Sequence, residues 1–160
     1  MIRQRICIGV VVNQQQQVLV GERKQGTHLQ GYWEFPGGKV EPHESFKMAL
    51  RRELFEELGI QARSISKLIE LQHHYEDRQL HFQLFKVTDY SGQVRSAEAQ
   101  VLRWVSSSQL ETLNFPAANA AMIDTLSLPA MYMIADHDVL KDQLIMIVRR
   151  QLTAGISLIQ

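Results

Sequence analysis

Three glutamates lie within about one helical turn of one another in residues 52–57, RELFEE: Glu53, Glu56 and Glu57. Residues three and four apart share one face of a helix, so these carboxylates would be neighbours and would repel one another. A hard divalent cation such as Mg2+, with Mn2+ as a substitute, would remove that repulsion and take the oxygens as ligands. The pattern therefore predicts a metal site on this helix, with Mg2+ as the cofactor.

The helix that carries the glutamates is predicted to run from Ser45 to Leu58. Its other face has apolar side chains every four residues, which is the spacing of a core-facing stripe. These side chains are Phe46, Leu50, Leu54 and Leu58. Gly59 follows as the expected C-terminal stop. Gly37 and Gly38, before the helix, allow a sharp bend that brings a backbone carbonyl close to a bound ion.

Residues 38–60 match the signature of the Nudix hydrolases, G-x5-E-x7-R-E-U-x-E-E-x-G-U, in which U is an aliphatic residue. The matching positions are Gly38, Glu44, Arg52, Glu53, Leu54, Glu56, Glu57, Gly59 and Ile60. The alternative is a charged surface helix, which would not require nine fixed positions. The resemblance implies the Nudix fold and an enzyme that hydrolyses a diphosphate linked to another group.

The same resemblance suggests roles around the glutamate helix. Its metal ligands would be Glu53, Glu56 and Glu57, the carbonyl of Gly37, and Glu98 from a loop outside the motif, for which the alternative is an ordinary loop acid. Glu53 is the first candidate for the general base, although base and ligand roles within the cluster stay open. Arg52 lies four residues before Glu56, so it is expected to orient the glutamates by ion pairing.

Outside the motif the chain resembles the MutT subgroup, which hydrolyses oxidised nucleoside triphosphates such as 8-oxo-dGTP. The matching segments are Gly21-Glu22-Arg23, residues 29–36, Asp77-Arg78 and Phe115-Pro116-Ala117-Ala118-Asn119. The implied substrate-binding residues are Arg23, His28, Glu34, Phe35, Pro36, Gly37, Arg78 and Asn119. The resemblance also implies attack of water at the β-phosphorus, which yields a nucleoside monophosphate and pyrophosphate and prevents replication errors.

Asn119 is the candidate for recognition of the base. Its amide carries both a donor and an acceptor. Oxidised guanine presents an acceptor at O6 and a donor at N7, whereas ordinary guanine presents acceptors at both places. One Asn amide can pair with both atoms of the oxidised base only, so selection for the damaged base would follow. The alternative role of Asn119 is a helix cap.

The other binding candidates also have simpler alternatives. Arg23 and Arg78 could each form a surface ion pair, Phe35 could belong to the core, and His28 could be exposed to solvent. Two rival functions stay open beside the MutT-like one. The first is a Nudix pyrophosphohydrolase for ordinary dNTPs, dinucleoside polyphosphates or nucleotide sugars. The second is a non-catalytic Nudix-fold binding module, against which the intact glutamate cluster argues.

The composition fits one soluble domain with an appendage. The chain has 160 residues, of which 45% are hydrophobic and 21% charged. Seventeen basic residues balance seventeen acidic ones, so no nucleic acid polymer is expected as partner, and the small nucleotide that the resemblance implies would be held by local charge and metal. The single cysteine, Cys7, lies in an apolar run and is predicted to be buried. The lack of a disulfide pair favours the cytoplasm, and no apolar stretch is long enough to span a membrane.

The chain alternates predicted strands and helices. The strands are predicted at residues 4–12, 18–22, 32–35, 65–75, 80–87 and 101–105, and further helices at 106–113 and 116–126. The first two strands are predicted to form a hairpin around Asn13 and the glutamine tract. This order indicates an α/β (α+β) fold with a mixed β-sheet sandwiched between helices, which the Nudix resemblance also implies.

Residues 129–160 form a tail behind the predicted Nudix domain of residues 1–128. The tail is predicted as a strand at 131–135, a helix at 139–152 with Gly155 as its stop, and a strand at 156–159. It resembles the start of a thiamine-phosphate-synthase barrel, which is fused behind some MutT-like domains. One βα unit cannot close a barrel, so no synthase activity is expected.

The alternative for this tail is an extension that packs on the Nudix domain or on a second subunit. The predicted tail helix has an apolar face that needs cover, which a homodimer partner would supply. This face consists of Val139, Leu140, Leu144, Ile147 and Val148.

Overall fold

The computed structural model describes residues 2–74, 78–97, 100–128 and 144–156, and only the backbone of Ile2 and Arg78. The chain divides into two compact units, Met1–Thr125 and Leu126–Gln160. The described strands are Ile2–Val11 (β1), Val18–Glu22 (β2), Trp33–Glu34 (β3), Gly37–Lys39 (β4), Gln61–His74 (β5), Arg78–Ser91 (β6) and Leu102–Val105 (β7). The described helices are Phe46–Leu58 (α1), Ser107–Leu110 (α2), Ala120–Ser127 (α3) and Leu144–Thr153 (α4), and Ala117–Asn119 forms one 3-10 turn.

The strands form two sheets. A mixed sheet has the order β4-β1-β6-β5, in which β1 runs parallel to β6 and antiparallel to β4. A smaller antiparallel sheet has the order β3-β2-β7. The mixed α+β architecture confirms the predicted fold class, and the antiparallel sheet is an addition to the single sheet that was expected.

The predicted hairpin of β1 and β2 is wrong. The two strands meet in one isolated bridge, between Val12 and Val18. The turn between them is tight because the Asn13 side-chain oxygen accepts hydrogen bonds from the backbone N–H groups of Gln15 and Gln17, at 3.0 and 2.9 Å. Both edges of β1 are already occupied, by β4 and β6, so β2 cannot pair along it and joins the other sheet.

Helix α1 begins and ends at the predicted signals. Ser45 caps its first turn by accepting a hydrogen bond from the Met48 N–H at 3.2 Å. Gly59 ends it in the left-handed conformation with φ 68°. The apolar stripe is buried against Cys7, Val11 and Phe85 of the mixed sheet. This packing fixes the rotation of α1, so its glutamates face away from the core.

Replacing Leu54 by Ala is expected to lower the free energy of unfolding by about 3 kcal/mol, because the side chain lies in the middle of this stripe and is fully buried. Urea denaturation would measure the loss. Phe55, the next residue, is 57% exposed, so Phe55→Ala is the matched control and should cost less than about 1 kcal/mol. Equal losses in the two variants would contradict the assigned orientation of α1.

The single cysteine is buried as predicted. Cys7 is fully inaccessible, and its thiol lies 3.4 Å from the carbonyl oxygen of Gly38, to which it donates. Burial raises the pKa of the Cys7 thiol to about 11. The thiol is therefore protonated at neutral pH and serves as a packing group beneath the turn that precedes α1.

The segment after β7 contacts β3 and the residue next to it, Phe35. The Trp33 N–H donates to the Asn114 carbonyl at 2.8 Å, and the Phe35 and Phe115 rings stack with centroids 5.1 Å apart. The helix expected from residue 116 starts as a 3-10 turn, in which the Asn119 N–H bonds to the Pro116 carbonyl at 2.8 Å. Asn119 is thereby carried on a short, braced turn beside the aromatic pair.

The second unit contains α4, the observed part of the predicted tail helix. Gly155 follows its end with φ 94°, as predicted for the stop. Leu144, Ile147 and Val148 are half-buried, while Ile145 and Met146 are exposed. The predicted strands at 131–135 and 156–159, Val139 and Leu140 lie wholly or almost wholly outside the described residues. The dimer, the two-domain division and the barrel-like tail stay predictions.

In the described part of the chain, we find no helix with the length and apolar character needed to cross a bilayer.

Candidate active site

Arg52 stands at the centre of the acidic face of α1. Its Nε and Nη2 donate to the two carboxylate oxygens of Glu44, each at 3.0 Å. Its Nη1 donates to Glu53 Oε1 at 2.9 Å and to Glu56 Oε2 at 3.1 Å. Nη2 also reaches the Lys39 carbonyl at 3.0 Å. One guanidinium therefore joins the loop before the helix to two of the three clustered glutamates.

This network shifts the pKa values of Glu44 and Arg52. Hydrogen bonds from Arg52 hold the pKa of the Glu44 carboxyl below its usual range. The bond to Glu44, followed by those to Glu53 and Glu56, raises the pKa of Arg52 above its already high value. Arg52 is thus a permanent positive charge, and Glu44 accepts both of its parallel N–H bonds in the bidentate geometry of strong pairs.

The two glycines before α1 bring backbone and carboxylates together. A side chain at Gly38 would overlap the Glu53 carboxylate, which lies directly over the glycine backbone. Gly37 has φ 140°, a conformation that side chains disfavour, and its N–H donates to Glu57 Oε2 at 3.0 Å. Glu53 and Glu57 therefore flank the same turn, in which the conformation of Gly37 requires glycine and a side chain at Gly38 would displace the Glu53 carboxylate.

The types of donor on this face fit a hard divalent cation. Glu53, Glu56 and Glu57 supply carboxylate oxygens, and the Gly37 turn adds backbone beside Glu57. Within the described ranges, however, no three Asp, Glu, His or Cys side chains stand close enough to hold one ion. The Glu53 and Glu56 carboxylates accept hydrogen bonds from Arg52, and the Glu57 carboxylate accepts one from the Gly37 N–H. Glu98, the remaining predicted ligand, lies outside the described residues.

A small cavity of about 90 Å3 adjoins Glu57 and four of the predicted substrate-binding residues. Its lining consists of Leu19, Gly21, Glu34, Phe35, Pro36, Gly37, Glu57, Leu58, Gln100 and Leu102. Pockets for whole small ligands measure roughly 300 to 1,000 Å3, so this one fits a fragment of a nucleotide. We call it the Glu57 cavity.

Neither Arg23 nor His28 lines this cavity, whereas Phe35 does. Arg23 forms an ion pair with the cavity residue Glu34, with Nε 3.2 Å from Oε2, which is the alternative considered for it. Phe35 is 5% exposed and its ring reaches the Asn119 segment through Phe115. His28 is exposed in a loop and does not line the cavity. Arg78 begins β6, and its side chain is not described.

Asn119 is half-buried, and its side-chain amide makes no hydrogen bond to any described residue. The helix-cap alternative therefore receives no support from the part of the chain that the structure describes. Asn119 does not line the Glu57 cavity; it follows Phe115 by four residues, and the Phe115 ring stacks on the cavity residue Phe35.

Gln100 is a lining residue that the sequence did not single out. Its Nε2 donates to Glu34 Oε1 at 3.3 Å, while Arg23 takes the other oxygen of the same carboxylate. Its backbone N–H bonds to Ser96 Oγ at 2.7 Å. Gln100 and Glu34 are 66 positions apart, so no local pattern pairs them, and only the proximity of Gln100 to the loop of Glu98 could have drawn attention to it.

The fold has two sheets and a helix that follows a pair of glycines and carries glutamates around one arginine. This arrangement is that of the Nudix hydrolases. The chain belongs to this family, because the family model described as the NUDIX domain matches residues 7–125. Nudix hydrolases generally use divalent metals, so the metal-dependent class of chemistry predicted from the glutamates applies.

Two relatives indicate the nucleotides that such enzymes hydrolyse. The CTP pyrophosphohydrolase of Escherichia coli (strain K12) is 36% identical over 113 residues, 71% of this chain and 82% of that protein. The 8-oxo-dGTP diphosphatase of the same strain is 31% identical over 122 residues, 76% of this chain and 95% of that protein. Both relatives are named for small nucleotide substrates.

Solved structures agree with the fold. A MutT structure from a study of the Aliivibrio salmonicida and Vibrio cholerae proteins is 33% identical with a TM-score of 0.68, and the match covers 78% of this chain and 96% of that one. The solution structure of the Escherichia coli ORF135 protein is 29% identical with a TM-score of 0.72, over 82% and 96% of the two chains. The predicted resemblance to MutT-type Nudix hydrolases is confirmed.

Gln100→Glu is expected to raise KM for a nucleoside triphosphate about fivefold to tenfold, because a second carboxylate would replace the amide donor against Glu34 and disturb the Arg23 pair. Initial rates with Mg2+ would measure kcat and KM. Gln61→Glu adds the same charge at an exposed position of β5 and is the control. An unchanged KM in Gln100→Glu would show that this hydrogen bond does not shape the site.

Proposed function

We propose that this chain hydrolyses 8-oxo-dGTP to 8-oxo-dGMP and pyrophosphate, with Mg2+, and so removes an oxidised purine nucleotide before replication. The observation that carries the proposal is the half-buried Asn119 amide, which has no hydrogen-bond partner among the described residues. It lies on a braced turn next to the stacked rings of Phe35 and Phe115. A base that offers an acceptor and a donor side by side would satisfy both ends of this amide.

Burial makes this pairing discriminating. A partly buried amide whose partner presents the wrong polarity loses hydrogen bonds to water without replacement, which costs about 1 to 3 kcal/mol. Ordinary guanine would present its N7 acceptor to the amide oxygen, whereas the oxidised base presents N7–H. The segment that leads to Asn119 is anchored by the Trp33–Asn114 hydrogen bond and by the Phe35–Phe115 stack, and these contacts support a fixed position for the amide.

The acidic face supports hydrolysis at the triphosphate. Bound Mg2+ would offset the negative charge of the phosphates and orient the attacking water. Glu53, Glu56, Glu57, Glu98 and the Gly37 carbonyl would hold it. Arg52 fixes Oε1 of Glu53, which leaves Oε2 to take a proton from the water. The water oxygen bonds to the β-phosphorus while the bond from that phosphorus to the α–β bridging oxygen breaks.

A second candidate is an ordinary pyrimidine triphosphate. The relative named CTP pyrophosphohydrolase, at 36% identity over 71% of this chain, favours it. The acidic face would serve this substrate equally well, since its proposed role is at the phosphates. The two candidate substrates differ in their base, which the residues around Asn119 would select.

Kinetics on three nucleotides would test the proposal. We expect kcat/KM for 8-oxo-dGTP to exceed that for dGTP at least about tenfold, with CTP also slow, at substrate concentrations well below KM. Release of pyrophosphate and not orthophosphate would establish the cleaved bond. Faster hydrolysis of CTP than of 8-oxo-dGTP would reject the proposal in favour of the second candidate.

A further inference from the structure

A second cavity, of about 430 Å3, lies at one end of the mixed sheet. Its lining consists of Arg3, Gln4, Arg5, Gln72, Gln79 and His81, none of which lines the Glu57 cavity. Its volume falls within the roughly 300 to 1,000 Å3 of small-molecule sites. We call it the Arg3 cavity.

Strand register explains why these side chains converge. Arg3 pairs with Gln79 and Arg5 with His81 between β1 and β6, and Gln72 of β5 pairs with His81 from the other side. Side chains alternate along a strand, so Arg3 and Arg5 share the face of Cys7, which packs under α1. The Arg3 cavity therefore continues the α1 side of the sheet past the start of that helix.

Several lining side chains are fixed in position by their neighbours. The Arg5 guanidinium lies 4.5 Å from the centre of the Phe46 ring and donates to the Glu44 carbonyl at 3.3 Å. The His81 ring meets the edge of Phe46 with centroids 5.0 Å apart and contacts Glu70 at 2.6 Å. Such fixed groups lower the entropic cost of binding a ligand.

The amide end of the cavity is also ordered. Gln79 Nε2 lies 3.1 Å from Gln72 Oε1, to which it donates, and 2.8 Å from His74 Nε2. Within the described ranges, the Gln72 amide nitrogen and the Gln79 amide oxygen make no further hydrogen bond. They would suit the neutral polar part of a ligand.

The described lining of the Arg3 cavity carries positive charge from two arginines. None of the lining residues within the described ranges carries a carboxylate. Among the described residues, the Glu70 carboxylate already contacts His81, Lys67 and Gln83, and that of Glu44 is held by Arg52. Arg3 forms no ion pair or hydrogen bond with the described part of the chain. Guanidinium groups bind phosphate through paired N–H donors, so an anion of this type fits the cavity.

We propose that the Arg3 cavity binds a phosphorylated small molecule. Arg3 and Arg5 contact its phosphate, and the amides of Gln72 and Gln79 contact its polar remainder. The site is separate from the Glu57 cavity and does not depend on which nucleotide the enzyme hydrolyses.

Titrations of the full chain in EDTA, which suppresses metal-dependent binding at the glutamate helix, would test the proposal. The probes are inorganic phosphate, pyrophosphate and a nucleoside monophosphate, and the readout is the NMR shift of the arginine Nε–Hε groups. We expect saturable shifts at Arg3 and Arg5. Arg3→Ser should weaken binding about tenfold, whereas Arg63→Ser, which removes an exposed arginine from β5, should leave it unchanged.

Turnover of the preferred nucleotide should be the same in both variants and in the unaltered chain, which separates this site from the proposed activity. Absence of saturable shifts, equal weakening by the two variants, or shifts confined to Arg23 and Arg52 would each overturn the proposal. Tighter binding of the nucleoside monophosphate than of phosphate, lost in Gln72→Leu, would support the role of the amides. Equal affinity for these two probes would overturn that role.

Discussion

Glu53→Gln is expected to lower kcat at least about a hundredfold with little change in the fold, because the amide cannot accept the proton that a general base takes from water. Glu53 lies on the acidic face, over Gly38 and beside Arg52. Pyrophosphate release at saturating nucleotide and Mg2+ would measure the loss. Glu41→Gln removes the same charge from an exposed residue near the start of α1 and is the matched control.

Two results would contradict the role of Glu53 as the base. Near-normal turnover of Glu53→Gln would remove it from the catalytic set. Recovery of the rate at high Mg2+ concentration would assign it to metal binding alone, since added metal restores a weakened ion site but does not replace a proton acceptor. In the second case Glu56 and Glu57 become the candidates for the base.

Asn119→Ala is expected to reduce the preference for 8-oxo-dGTP over dGTP by about tenfold to a hundredfold, mainly through a lower kcat/KM for the oxidised substrate. The reason is the loss of the paired donor and acceptor on the braced 3-10 turn. Competition between the two nucleotides in one reaction would measure the ratio directly. Asn114→Ala is the control, since its contribution to the fold is a backbone carbonyl that the variant retains.

Asn119→Asp keeps the acceptor of the side chain and removes its donor, so it tests the two hydrogen bonds separately. The carboxylate still accepts from N7–H but presents no donor to O6, so the preference should fall between those of the unaltered chain and Asn119→Ala. A preference that survives in Asn119→Ala would show that other residues select the base.

Helix α1 could be predicted from sequence because all of its signals are local. The Ser45 cap, the stripe from Phe46 to Leu58 and the Gly59 stop lie within fifteen consecutive residues, and each acts through near neighbours in the chain. The fixed spacing of the glutamates adds a motif to this periodicity. The fold class and the family followed from that combination.

Features that depend on distant pairing were harder to predict. The β1–β2 hairpin failed because the partners of β1 are Gly37–Lys39 and Arg78–Ser91, which compete with the near strand for the same two edges. The contact of Gln100 with Glu34 and the bidentate pair of Arg52 with Glu44 were missed for a related reason. Each joins residues that share no helical or strand period, so only the folded chain brings them together.

The position of Arg52 has a consequence for how this enzyme would respond to metal. The acidic face is partly compensated by a cation that belongs to the chain itself, because Arg52 pairs with Glu44, Glu53 and Glu56. An arriving Mg2+ would act as a competitor that exchanges with the guanidinium for Glu53 and Glu56. The apparent metal affinity would then reflect the difference in free energy between the Mg2+ complex and the guanidinium complex of these carboxylates. Activity would rise gradually with the free Mg2+ concentration instead of saturating at trace levels.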